Sequence, residues 1–269
     1  MTRKLGGLLL AASMMGTGFR LLGADRPREN GPEQSFQVTT TQRVPFLHGG
    51  TIRLDNSYGY LTVEGWDEPE VEITVTKATA HFFEPGEKEK AEKDFGQIRV
   101  SAERHSDKEL AIATAIPVRN SLVNSVLPFR RIIGATPLPR NNKHGVTLEY
   151  TVRLPRDSRL VVHHDNGYVW VGDLNGDIEV NSHTGDMIVM LPDPGPHSID
   201  ATARVGSVSS DFAGKSVREF LLGTHFAYPG EGRSQRIHLR MGRGSITIKK
   251  SLPSGASDIA SGENDKRGQ

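Results

Sequence analysis

A glycine spacing constrains the fold of this chain more than any other feature of its sequence. Between Arg159 and Leu191, Gly167, Gly176 and Gly185 lie nine residues apart, and apolar residues follow each of them at alternate positions. Such alternation over four or five residues is typical of a half-buried strand. Asn-Gly and Thr-Gly pairs tolerate the positive φ of a tight bend. We therefore predict units of one strand plus one turn.

The same glycine register recurs outside this segment, at Gly59, Gly206 and Gly244. A unit so short cannot bury its apolar face alone, so neighbouring units must stack or pair with one another. The predicted fold class is all-β, either a β-solenoid or a repetitive β-meander, built from short Gly-x-apolar-x-Val units. The stretches between Gly59 and Gly167 and between Gly206 and Gly244 are interpreted as insertions that loop from a common stack.

In one segment of the N-terminal half, the apolar residues recur every three or four positions instead of every second position. In residues 87–98, EKEKAEKDFGQI, the apolar residues Ala91, Phe95 and Ile98 fall at helical spacing among strong helix formers. This predicts a single short helix, whose charged face we interpret as solvated surface.

The N-terminus has the pattern of an export signal. Arg3 and Lys4 precede a run of apolar and small residues, and Ala24 offers a small side chain at a cleavage point. We predict a signal peptide over residues 1–24, with an uncleaved anchor as the alternative, and no membrane span once the signal is removed. The expected location is therefore outside the cytoplasm, in the periplasm or at the cell surface.

The rest of the chain is predicted to divide by composition. A Pro-rich charged linker covers residues 25–34, and the β-repeat domain covers residues 35–252. Within that domain, residues 117–145 form a long irregular insertion with four prolines. The Ser-, Gly- and charge-rich residues 253–269 are predicted to be a disordered tail.

Charge and cysteine content exclude several classes of function. The chain has 33 basic and 32 acidic residues, a net charge of +1, and this balance gives no basis for binding nucleic acid. It has no cysteine, which excludes disulfides, thiolate zinc sites and cysteine nucleophiles. No cofactor is predicted.

Histidines and aspartates near the glycine repeat are the only candidates for metal chemistry. His163, His164 and His183 lie close in sequence to four aspartates, Asp165, Asp173, Asp177 and Asp186. Adjacent residues of a strand point to opposite faces, so His163 and His164 cannot share one site without distortion. We predict no metal site, and, because no catalytic motif or carboxylate pair stands out, no catalytic residues.

Three aromatic residues form the candidate binding surface. If Leu61 and Val169 face inward, strand alternation turns Tyr60, Tyr168 and Trp170 outward. Exposed flat rings can stack on sugars or anchor a protein partner. The alternative is that the inserted segments cover them.

The glycine units, the segment TVRLPRDSRLVVHHDNG and the closing RMGRGSITIKK resemble the exported bacterial β-strand-repeat proteins catalogued as domain of unknown function 4097, or "putative adhesin". The resemblance covers roughly residues 50–250, and the 117–145 insertion departs from it. It implies a solenoid-like all-β fold and a role at the cell envelope or surface, with no catalytic residues. The resulting hypothesis is an exported, non-enzymatic, adhesin-like or scaffolding module that binds an envelope glycan or protein. The alternatives are a carbohydrate-active enzyme on a β-solenoid and an envelope-stress accessory protein.

Overall fold

A computed structural model describes residues 36–79, 88–115, 146–193, 195–219, 222–230 and 234–251. The predicted signal peptide, linker, 117–145 insertion and C-terminal tail lie outside the described residues. None of the helices in the described ranges is long and apolar enough to cross a membrane.

Within the described residues the chain is almost entirely β, with a single helix. Helix α1 spans Lys88–Gln97, which confirms the one short helix predicted from the change of period. The strands are β1 Gln37–Pro45, β2 Thr51–Trp66, β3 Glu70–Thr79, β4 Arg99–Ser106, β5 Glu109–Ala115, β6 Val146–Pro155, β7 Arg159–Gly172, β8 Ile178–Pro192, β9 His197–Ser210, β10 Lys215–Glu219, β11 Gly223–Tyr228 and β12 Gln235–Ser251.

All twelve strands belong to one open, mixed sheet. Its main path runs β1-β3-β6-β2-β7-β8-β12-β9-β11-β10, while β5 pairs with both β2 and β4. The five long strands β2, β7, β8, β12 and β9 pair in parallel. The last described strand, β12, lies between β8 and β9, an arrangement that the sequence analysis did not predict.

A row of five glycines crosses these parallel strands at one level, where each strand bends. The row consists of Gly59, Gly167, Gly185, Gly244 and Gly206, in spatial order. All five have φ between 91° and 139°, a region that L side chains rarely adopt. A Cβ on Gly185 would overlap the carbonyl oxygen of Gly167, and a Cβ on Gly244 would overlap that of Gly185. Only glycine allows both the bend and this close approach of backbones.

Gly176 does not belong to this bend row, so the predicted nine-residue unit was wrong. Gly176 lies in the connection between β7 and β8 and is not among the positive-φ residues. The bends at Gly167 and Gly185 are 185 − 167 = 18 residues apart, and the next bend, Gly206, follows 206 − 185 = 21 residues later. The spacing of nine residues arises because the turn at Gly176 lies midway in sequence between the bends at Gly167 and Gly185.

The short connection between β7 and β8 explains where the core lies. Only residues 173–177 join these parallel neighbours, whereas two straight parallel strands need a crossover of about a dozen residues. The strand must therefore double back at Gly167. Its two halves then face each other, with Leu160 and Val162 before the bend and Val169 and Val171 after it fully buried in one core.

The bend row generates a prediction about stability. Gly185→Ala should lower the free energy of unfolding by at least about 2 kcal/mol, because an L residue is strained at this φ and its Cβ would meet a carbonyl oxygen. Gly96→Ala in α1 is the matched control, since a Cβ there meets nothing within 4 Å. Removing glycine from a helix should be neutral or stabilise by up to about 1 kcal/mol. Urea unfolding measures the free energy of unfolding of both variants. If Gly185→Ala were as stable as Gly96→Ala, the role given to the bend row would be contradicted.

Candidate functional site

The three aromatic residues predicted to face outward lie on neighbouring strands of the sheet. Tyr60 of β2 pairs with Tyr168 of β7, and their ring centroids are 6.4 Å apart. Tyr60 is 59% exposed, whereas Tyr168 and Trp170 are half-buried. Their neighbours Leu61, Val63, Val169 and Val171 are fully buried. The three rings therefore lie on the face opposite the core, and their role in binding stays a prediction.

Trp170 projects less freely than the two tyrosines. A Cβ built on Gly172 would overlap the indole ring, so the ring lies down against the strand at Gly172. Replacing Trp170 would therefore remove packing as well as exposed surface. Tyr60 and Tyr168 are the better probes of this face.

Threonines extend the same face from the aromatic pair to the edge of the sheet. One row of paired residues contains Thr41, Thr74, Thr151, Thr62 and Trp170, and the next contains Thr39, Thr76, Glu149, Tyr60 and Tyr168. At the edge, the hydroxyls of Thr39 and Thr76 and those of Thr41 and Thr74 are each 3.0 Å apart. We call these two rows, with their aromatic residues, the outer face.

Alternating charges form the next row along the outer face. Arg43, Glu72, Arg153 and Glu64 follow one another on β1, β3, β6 and β2. The Arg43 Nη2 and Glu72 Oε2 atoms are 2.6 Å apart, and Arg153 reaches Glu72 at 3.4 Å and Glu64 at 3.2 Å. Single surface ion pairs contribute little stability, but a connected network orders its side chains. The outer face is thus bounded by an internally neutralised charge row.

A cleft of about 980 Å³ lies where the long strands bend. Four of its residues occupy one level across β7, β8, β12 and β9: Asp165, His183, Gly242 and Arg204. Val205 and Leu222 add exposed apolar side chains to its lining. We call this cavity the corner cleft.

Sequence reasoning missed the corner cleft, although a signal for it existed. It considered Asp165 and His183 only as metal ligands, and it did not single out Gly242, Arg204, Val205 or Leu222. Asp165, His183, Arg204 and Gly242 each stand two residues before a glycine of the bend row. Aligning the chain on Gly167 and Gly185, which are 18 residues apart, would have brought Asp165 and His183 together.

His164 lies at the buried side of the same bend. It is 2% exposed, and its Nδ1 atom is 2.9 Å from the Ser57 hydroxyl. Burial lowers the pKa of His164 to about 4. The Nε2 atom of His164 and the hydroxyl of its neighbour Ser182 have no hydrogen-bond partner in the described part of the chain.

The charged side chains that line the corner cleft are influenced by burial and by ion pairing. Burial raises the pKa of the Asp165 carboxyl above its usual value, and the nearby His183 offsets part of that rise. Arg240, another lining residue, is held by Asp200 through Nη2 at 2.8 Å and Nη1 at 3.1 Å. Its hydrogen bonds lower the pKa of Asp200 to about 2.

The histidines and aspartates of the metal hypothesis do not form one cluster, although Asp165 and His183 both line the corner cleft. His163 points outward, where its Nδ1 atom is 2.6 Å from Asp55 Oδ1, while His164 is buried. Asp177 binds the Arg236 guanidinium, and Asp186 accepts from the Ser245 hydroxyl at 2.6 Å. Across residues 36–251, where described, no group of three His, Asp or Glu side chains could hold a metal ion.

The chain matches no model of a known protein family, so the resemblance to domain of unknown function 4097 stays a prediction. It also matches no curated protein. Among solved structures it is similar to a "putative cell adhesion protein" from Clostridium sporogenes, with 14% identity and a TM-score of 0.49, over 81% of this chain and 100% of that one. A "putative adhesin" from Bacteroides fragilis gives 10% identity and a TM-score of 0.28, over 79% and 97%. At these values we draw no functional conclusion from either likeness.

The burial of His164 predicts a pH dependence of stability. An unfolded histidine binds a proton below pH 6.5, whereas folded His164 stays neutral down to about pH 4. The unfolded chain therefore binds more protons in this window. As the pH falls from 6.5 to 4, the free energy of unfolding should drop by up to about 3 kcal/mol.

Urea unfolding across this pH window, compared between variants, checks the assignment. His164→Gln cannot take up the proton, so its free energy of unfolding should depend less steeply on pH than that of the parent chain. His105→Gln, at an exposed position of β4, should keep the parent slope. An unchanged slope in His164→Gln would show that another group carries the effect.

Proposed function

We propose that this chain is an exported, non-enzymatic binding module of the bacterial cell envelope, located in the periplasm or at the cell surface. Its outer face would bind an envelope glycan, with an envelope protein as the alternative partner. The observation that carries the proposal is the outward-facing pair of exposed Tyr60 and half-buried Tyr168, set within rows of threonine hydroxyls.

The chemistry of the outer face suits a sugar polymer. A tyrosine ring offers a flat apolar surface to the C–H face of a sugar, and its hydroxyl remains available for hydrogen bonding. Threonine hydroxyls both donate and accept, as sugar hydroxyls do. Neighbouring strands place equivalent residues about 4.8 Å apart, so the face presents an evenly spaced array of polar groups.

The rigidity of the sheet favours binding through a preformed surface. We propose that the five bent parallel strands are rungs of a solenoid-like stack, which is the finer form of the predicted all-β fold. Pairing on both sides of β3, β6, β2 and β7 holds the outer face in one shape before any ligand arrives. A preformed surface loses little conformational entropy on binding.

A double substitution tests the role of the outer face. Tyr60→Ala with Tyr168→Ala should weaken sedimentation with purified envelope glycan by about 30-fold, as expected when two contact residues together lose about 2 kcal/mol. Thermal stability should change little, because Tyr60 is exposed and Tyr168 is half-buried outside the core.

Leu47→Ala is the matched control, since Leu47 is another exposed apolar residue, in the loop between β1 and β2. It should bind glycan like the parent chain. Equal binding by the parent and the double variant would contradict the proposal. If the double variant lost binding to envelope protein but bound glycan like the parent chain, the alternative partner would be favoured.

A further inference from the structure

The corner cleft contains a cation, Arg204, that none of the described residues neutralises. Arg204 is exposed, and no ion pair joins it to an acid within the described residues. The neighbouring Arg240, by contrast, is occupied by Asp200. An arginine beside a cavity presents up to five donors in a planar fork, which matches the geometry of a carboxylate.

Gly242 leaves a gap beside this cation. It lies between His183 on β8 and Arg204 on β9, at the level where those residues carry side chains. Because neighbouring strands are about 4.8 Å apart, His183 and Arg204 stand roughly 10 Å from each other across the gap. A Cβ at Gly242 would overlap the carbonyl oxygen of His183, so the backbone itself keeps this position free of a side chain.

Apolar side chains border the same gap. Leu222 is 66% exposed and Val205 is 36% exposed, so both offer apolar surface to a ligand in the cleft. The position of Leu222 is held by its own carbonyl, which accepts a hydrogen bond of 2.8 Å from the backbone N–H of Gly206 in the bend row. The apolar wall is therefore attached to the most constrained part of the fold.

We propose that the corner cleft binds a small organic carboxylate, with its carboxylate on Arg204 and its apolar part against Val205 and Leu222. This site is separate from the outer face, and the proposal does not depend on the proposed function. The cavity volume of about 980 Å³ is within the range of small-molecule sites. At the far end, Asp165 and His183 supply polar groups for hydroxyls, which a sugar acid has and a fatty acid lacks.

Titration calorimetry with defined probes tests this site on the full chain. Octanoate and galacturonate represent the two sources of a carboxylate, and octanol and galactose are their uncharged counterparts. At least one carboxylate should bind saturably, and its uncharged counterpart should bind at least about 10-fold more weakly. Preference for octanoate would assign a fatty-acid-like ligand, and preference for galacturonate would assign a sugar acid.

Variants of the cleft identify where the carboxylate binds. Arg204→Gln should weaken binding by at least about 10-fold, and Arg204→Lys should restore part of it, because the charge returns without the planar fork. Leu222→Ser should weaken the binding of octanoate more than that of galacturonate. Arg218→Gln, at an exposed arginine on β10 outside the cleft, should leave binding unchanged.

Two results would overturn the proposal. One is the failure of every carboxylate to bind at concentrations up to about 10 mM, which is weaker than any useful small-molecule site. The other is binding that Arg204→Gln leaves unchanged in a variant that melts like the parent chain. The Tyr60→Ala and Tyr168→Ala double variant should keep carboxylate binding, so a failure of the corner cleft is distinguishable from a failure of the outer face.

Discussion

The close approach of backbones along the bend row is the constraint on which the other features depend. Each of the long parallel strands turns at a glycine with positive φ, and the carbonyl of one glycine fills the space where a Cβ would stand on the next. Because the bends are stacked at one level, the halves of every strand stay in register and enclose a common core. The outer face and the corner cleft are both surfaces of this arrangement.

The two candidate sites use the bend in different ways. Past the bend, alternation turns Tyr60 and Tyr168 to the solvent side while Leu61 and Val169 enter the core. Just before it, the backbone departs from regular pairing, and side chains such as Asp165 and Arg204 gather around a cavity. A flat array and a small cleft therefore arise from one backbone feature, and they suit ligands of different size.

Much of the strand content was predictable from sequence, because alternation depends only on which face of a strand is buried. Helix α1 was predictable for the same reason, since its apolar spacing is set by local geometry. The spacing of the bends could not be predicted from sequence. Gly176 in a turn and Gly167 in a bend look alike in sequence, although only Gly167 has positive φ. The corner cleft also escaped prediction, since its lining is brought together by the pairing of β12 with β8 and β9, which lie far from β12 in sequence.

The position of β12 has a consequence for how the sheet is completed. This strand pairs with β8 on one side and β9 on the other, so both of these strands have an open long edge until β12 is in place. Open parallel edges are templates for unwanted association with other chains. Removal of β12 would therefore split the sheet between β8 and β9 instead of shortening it from one edge.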